Sequence, residues 1–194
     1  GRAGSQSSRL SCVHSTIGGV KQIEPFGPFA LAANVIPVAV PSPAGELSGL
    51  LTGPSAPALV DGIPAISAAS SPDAAGENRA LLVPGYTGSK EDYAPVLPFL
   101  GDAGWDVLAY SQRGQGGSAA PAGLGAYGMS DFVNDLIAVA EAWAGTSGRV
   151  HLVGHSFGGI VARAAVIARP DLFASVTLFC SGRAVYDWMN TLPI

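Results

Sequence analysis

One segment constrains the fold more than any other: Arg149 to Pro170, RVHLVGHSFGGIVARAAVIARP. Arg149 to Val153 is a short apolar run suited to a buried strand. Gly158 to Ala168 reads as a helix stopped by Arg169-Pro170, because the residue before a proline is pushed out of the helical region. Between them lies Gly154-His155-Ser156-Phe157-Gly158, so the chain must pass from strand to helix within a few residues. A turn that tight holds its apical residue in a strained backbone conformation and leaves almost no room for side chains on either flank, which is the work of the glycines. Gly159 and Ala162 extend the small surface and let the helix approach the sheet closely.

The same alternation recurs along the chain. Arg79 to Pro84 and Trp105 to Tyr110 are apolar runs of strand length, and Ser175 to Cys180 is another. EDYAPVLPFLGDAG is expected to form a helix stopped at Gly104 despite Pro95 and Pro98. The strongest helix runs from Ser130 as N-cap to about Ala144, with Phe132, Leu136, Val139, Ala140 and Trp143 near one face. Strands alternating with helices imply an α/β fold: a mostly parallel sheet with helices on both faces. Residues 1–57 show no clear period and read as an irregular Gly/Pro-rich segment, whereas ALVDGIPAISAA from Ala58 suits a hairpin or edge strand around Asp61-Gly62. Pro28 to Pro43 is apolar, but Pro37 and Pro41 interrupt it and it falls short of a membrane span, so a packed or peripheral segment is expected.

At 194 residues the chain suits one main core. The net charge is −4 and no run of Lys or Arg occurs, so there is no electrostatic footprint for nucleic acid or an anionic membrane. Cys12 and Cys180 lie far apart, and the expectation is reduced thiols in a cytoplasmic protein, with secretion left open. No metal site is expected: His151 and His155 are spaced as helical ligands would be, but they straddle a strand and a turn. No cofactor is expected either, because the loops carry neither G-x-G-x-x-G nor a Gly-Lys-Ser/Thr phosphate cradle, which weakens the reading of a nucleotide-binding domain.

Ser156 is the candidate nucleophile. The turn lifts its hydroxyl clear of the sheet beside the positive end of a helix, where a developing oxyanion is stabilised. The Phe157 backbone N–H is one oxyanion donor, and VPGYTGS, Val83 to Ser89, offers a second at the Tyr86 N–H. The bland alternatives are a glycine-rich turn that happens to contain a serine, and an ordinary strand-to-helix connection at Val83 to Ser89.

These motifs resemble the α/β-hydrolase superfamily. The resemblance rests on Leu81 to Gly88 as oxyanion loop, SQRGQGGS (Ser111 to Ser118) as the D-x-R-G-x-G-x-S loop and LVGHSFGG (Leu152 to Gly159) as nucleophile turn, and it covers roughly Ala58 to Arg183. Pro84 stands where many members have His, and Ser111 where the family usually has Asp, which questions the rigidity of that loop. The resemblance implies a serine hydrolase of esterase or lipase type, cleaving an ester, thioester, amide or related acyl bond of a small molecule through an acyl-enzyme on Ser156. Serine in place of aspartate argues against epoxide-hydrolase chemistry.

It also implies the chain order serine, acid, histidine. The only histidines are His14, His151 and His155, and none follows Ser156. His155 adjoins Ser156, where consecutive side chains diverge; His151 reads as a satisfied core histidine packed against a helix; His14 lies in the irregular front segment. The acids after Ser156 are Asp171, a turn residue, and Asp187, a weak acid candidate after the Ser175 to Cys180 strand. The expectation is therefore residues 58–194 as the N-terminal part of a hydrolase core, with acid and base outside it and an open sheet edge that invites a second chain or the remaining half. The alternative is a non-catalytic or partner-dependent module of the same fold. Tyr86, Phe157 and Trp188 near the site would suit an uncharged acyl group.

Overall fold

Strands β1 (Val35–Ser42), β2 (Gly45–Thr52), β3 (Arg79–Val83), β4 (Asp106–Tyr110), β5 (Val150–His155) and β6 (Phe173–Phe179) form one sheet in the computed structural model, which describes residues 31–56, 64, 66, 78–145 and 148–182. Their order is β1-β2-β4-β3-β5-β6. β4, β3, β5 and β6 are parallel neighbours, as the alternation of strands and helices implies, while β2 pairs antiparallel with both β1 and β4. β3 and β4 are buried along their whole length.

Helices cover both faces. On one side α2 (Met129–Ala144) and α3 (Phe157–Ala168) set Leu136, Val139, Ala140, Val161 and Ala162 against Leu81, Val83, Leu108, Val150 and Leu152. On the other, α1 (Leu97–Asp102) and the short turn Lys90–Tyr93 pack Leu97, Leu100 and Tyr93 against Leu50, Ala80, Leu82 and Ala109. At the far edge the cover ends: Val176, Leu178 and Phe179 of β6 are 40%, 41% and 61% exposed, so both faces of that strand meet solvent. No helix among the described residues is long and apolar enough to cross a membrane.

The structure corrects three expectations. Residues 1–57 are not irregular throughout, because Val35 to Thr52 forms the β1–β2 hairpin. Pro37 and Pro41 hid it, since prolines argue against a sheet interior, but β1 is an edge strand. The prolines share the parity of Ala39, whose N–H and C=O turn outward to Pro64 O (3.0 Å) and the Ile66 N–H (2.8 Å), so they stand where no ladder donor is needed. Those two bonds also set residues 64 and 66 beside β1; the rest of the segment expected as a hairpin or edge strand, Asp61-Gly62 included, lies outside the described residues. The helix expected from Glu91 is split, with Ala94 to Val96 separating the Lys90–Tyr93 turn from α1, because Pro95 cannot donate a helical bond. The N-cap of α2 is Gly128 rather than Ser130, and the Asp131 carboxylate accepts from its N–H at 3.0 Å.

The loop from Ser111 to Ser118 is tied to the core through charge. Buried Arg113 donates from Nε to Asp135 Oδ2 of α2 at 2.7 Å, and from its other nitrogens to Ala126 O (2.6 Å) and Asp131 O (3.1 Å). Removing the Asp135 carboxylate would leave the buried guanidinium only the partly exposed Asp131 carboxylate, 3.5 Å away, as counter-charge. Asp135→Ala is accordingly expected to destabilise the fold by about 3 kcal/mol, read from urea unfolding midpoints; a loss below about 1 kcal/mol would show that the pair adds little.

Candidate active site

β5 hands over to α3 at Ser156, whose backbone sits at φ 52°, ψ −118°. A serine there carries strain, since positive φ crowds its Cβ. The surroundings leave no slack. A Cβ on Gly158 would lie 2.4 Å from Pro84 O and 2.5 Å from Val83 O, and one on Gly154 would lie 2.6 Å from Gly158 O. Backbone therefore touches backbone where α3 meets the ends of β3 and β5. The turn is pinned by the Ser156 N–H donating to Phe179 O (3.0 Å), and by the Gly159 N–H (3.0 Å) and Ser181 Oγ (2.9 Å) donating to Ser156 O.

The Val83 to Ser89 loop closes over this turn. A Cβ on Gly85 would lie 3.4 Å from Ser156 Cβ and 3.3 Å from His155 Nδ1, so the loop backbone runs directly against the serine. Tyr86 and Phe157, the residues whose N–H groups are the expected donors, are brought together, with ring centroids 5.7 Å apart and edge to face; Phe157 meets Phe132 in the same way at 5.2 Å. Neither N–H is used by a hydrogen bond among the described residues. The loop is fixed at its root by the Tyr93 hydroxyl donating to Val83 O at 2.8 Å, and burial, with Asp92 adding its charge, pushes that phenol's pKa well up, so it remains a donor.

The other sequence candidates separate from the serine. His155 is half-buried, stacks at 5.5 Å on Phe179 and makes no hydrogen bond to the Ser156 hydroxyl. His151 lies about 16 Å down the strand from Ser156. It is half-buried rather than a core residue; its Nδ1 hydrogen-bonds with Ser175 Oγ of β6 at 2.8 Å and its ring meets that of Trp105 edge to face. Asp171 follows the C-terminal end of α3, about 18 Å of helix from Ser156. It is committed to Arg169, whose hydrogen bonds hold its carboxyl below the ordinary range, and Arg169 also reaches Glu141. His14, Asp187 and Trp188 lie outside the described residues.

Sequence reasoning missed the residues that brace the loops. Gln112 Nε2 donates to Pro84 O at 3.0 Å, and Gln115 Nε2 to Gly85 O (2.9 Å) and Tyr86 O (2.7 Å). The doubt raised by Ser111 finds its answer nearby: its Oγ accepts the Lys90 N–H (3.0 Å), its O the Ser118 hydroxyl (2.7 Å), and Lys90 Nζ donates to Gly116 O (2.8 Å). A hydroxyl thus does the accepting expected of a carboxylate. The sequence offers no signal that singles them out, since Ser111, Arg113 and Ser118 are polar positions of the same loop.

The chain belongs to the α/β-hydrolase fold family, whose model matches residues 81–193. It is 39% identical over 98 residues to "Putative carbamate hydrolase RutD" of Variovorax paradoxus, covering 50% of this chain and 36% of that protein. It is 33% identical over 96 residues to "Epoxide hydrolase A" of Mycobacterium tuberculosis, covering 50% of this chain and 29% of that protein. Among solved structures, an epoxide hydrolase from an endophytic Streptomyces superposes with TM-score 0.59 at 28% identity, over 76% of this chain and 37% of the other. The chain thus spans about a third of the length of the relatives it matches.

The strain at Ser156 has a direct test. Ser156→Gly and Ser156→Ala both delete the hydroxyl, but only alanine keeps the crowded Cβ, so the glycine variant is expected to be the more stable by about 1 kcal/mol in urea unfolding. An alanine variant equal or superior in stability would mean that the turn is unstrained.

Proposed function

We propose that this chain supplies the nucleophile and the oxyanion donors of a serine hydrolase acting on an ester, thioester, carbamate or related acyl bond. The observation that carries the reading is the strained Ser156 at the N-terminus of α3 with the Gly85 backbone against its Cβ. Ser156 Oγ attacks the acyl carbon; as the Oγ–C bond forms, the carbonyl π pair moves onto oxygen and meets the N–H groups of Phe157 and Tyr86. The serine proton passes to a base and then to the leaving oxygen, sulfur or nitrogen as its bond to carbon breaks, and water returns the acyl group by the reverse route. The aromatic rings of Tyr86, Phe157 and Phe132 favour an uncharged acyl portion.

The relatives' names divide on chemistry. A serine that opens an epoxide forms an ether, which has no carbonyl for water to attack, so the enzyme would be trapped. A carbamate, by contrast, is an acyl bond, and the name of the Variovorax relative falls within the proposed class. On this reading the base and acid come from outside the described residues, since His151 hydrogen-bonds Ser175 and His155 lies against Phe179. The second reading, a partner-dependent or non-catalytic module, draws on the placement of His151 against Ser175 and of His155 against Phe179.

The test is p-nitrophenyl acetate given to the folded chain and to Ser156→Ala. An oxyanion hole retains about 10³-fold catalysis over water even when a triad member is missing, so acetylation is expected on Ser156 by peptide mass spectrometry, absent from the variant, and without turnover. Repeated Ser156-dependent turnover would also support the reading and send the search for the base to His14. A folded chain left unacetylated would overturn it in favour of the module.

A further inference from the structure

We propose that Gln115, assisted by Gln112, is a positioning residue: its carboxamide sets the plane of the Gly85–Tyr86 peptide so that the Tyr86 N–H points at the space over Ser156. The proposal rests on the reading of Ser156 given above. Its structural basis is that consecutive carbonyls, those of Pro84, Gly85 and Tyr86, are all held by these two side chains. In a trans peptide the C=O and the N–H of the next residue lie in one plane and point in opposite directions, toward opposite sides of the chain. Drawing Gly85 O toward Gln115 therefore turns the Tyr86 N–H away from the 111–118 loop, and drawing Tyr86 O does the same for Thr87. Gly85 lies against Ser156 and His155, where a Cβ on it would be 3.4 Å from Ser156 Cβ and 3.3 Å from His155 Nδ1, and the proposal sets the Tyr86 N–H toward that contact.

Gln115 itself has little freedom. Its Oε1 accepts the Gln112 N–H at 3.1 Å and its own N–H donates to Gln112 O at 3.0 Å, while Nε2 serves the two carbonyls. The loop that carries it is anchored to α2 by Arg113 and Asp135 and to the Lys90 backbone N–H through Ser111 Oγ, and a Cβ on Gly116 would lie 2.5 Å from that oxygen and 2.8 Å from Ser89 Cβ. A Gly88 N–H bond to Gly85 O (3.2 Å) closes the turn but leaves Tyr86 O to Gln115. The task needs a donor: a side chain of the same length with only acceptors would face two carbonyl oxygens and push them off. Only an amide fits this position while also accepting from Gln112.

The test compares Gln115→Glu, which keeps the length and the acceptor, and Gln115→Met, which keeps the bulk without charge, with the wild-type chain. Gln115 is only half-buried, so the fold is expected to survive. Residual dipolar couplings read the orientation of individual N–H vectors and do not depend on activity. They are expected to change at Tyr86 and Thr87 and to stay fixed through α2 and α3. The acetylation rate of Ser156 by p-nitrophenyl acetate is expected to fall at least tenfold, toward the roughly 10²–10³-fold loss of a missing oxyanion donor, at an unchanged half-saturating ester concentration. Unchanged couplings at Tyr86 overturn the proposal whatever the rates, and changed couplings with a wild-type rate overturn its catalytic part. Changed couplings in a protein whose wild-type form never acetylates uphold the orienting role of Gln115 and bring down the hydrolase reading instead.

Discussion

The contact on which the rest depends is the meeting of bare backbone where α3 abuts the ends of β3 and β5. A Cβ on Gly158 would strike Pro84 O and Val83 O, and one on Gly154 would strike Gly158 O. Because nothing lies between helix and sheet there, the N-terminus of α3 is pressed against the end of β3, and the loop that leaves β3 has to pass over Ser156. The juxtaposition of Gly85 with Ser156 is thus a consequence of close packing rather than of any direct bond between the two. The strain held at Ser156 is offset by the burial of α3 through Val161, Ala162 and Ala165 and by the bonds from Ser181 and to Phe179.

The second support comes from the loop after β4. Arg113 ties it to α2, and Lys90 and Ser118 close it upon itself through Gly116 O and Ser111 O. From that fixed base the two glutamines reach the loop after β3. A buried ion pair on one side of the sheet is in this way connected by a short series of hydrogen bonds to the backbone over the serine. Such a connection stabilises one peptide orientation among several that a glycine-containing loop would otherwise sample.

The parallel part of the sheet and α2 and α3 were legible because burial on both faces yields continuous apolar strands and a one-sided helix yields a clear period; Leu81 and Leu108, Leu136 and Val139 are examples. Ser156 was legible because its turn demands glycine at fixed offsets. What escaped depended on position in the sheet: Pro37 and Pro41 look like strand breakers until β1 is known to be an edge with their parity facing outward. The glutamine braces escaped for a related reason. Gln112 and Gln115 bond to carbonyls roughly thirty residues away, and the sequence of a polar loop looks the same whether its amides meet backbone or water.

The two halves of the proposed chemistry place unequal demands on the fold. Oxyanion donors must be aimed before charge develops, since reorganising dipoles during reaction would consume the advantage they give. Backbone N–H groups held by a close-packed helix and braced carbonyls meet that demand, and on the proposed reading they are what this chain contributes. A general base needs one nitrogen within hydrogen-bond reach at the moment of attack, and its geometry often tightens only when substrate is bound. Such a group can be carried by a segment less firmly embedded in the core. Among the described residues β3 and β4 are buried along their length and β5 alternates between buried and half-buried positions, whereas β6 is exposed from Ala174 onward, so on the proposed reading the firmly packed part of the sheet carries the donors and the base comes from elsewhere.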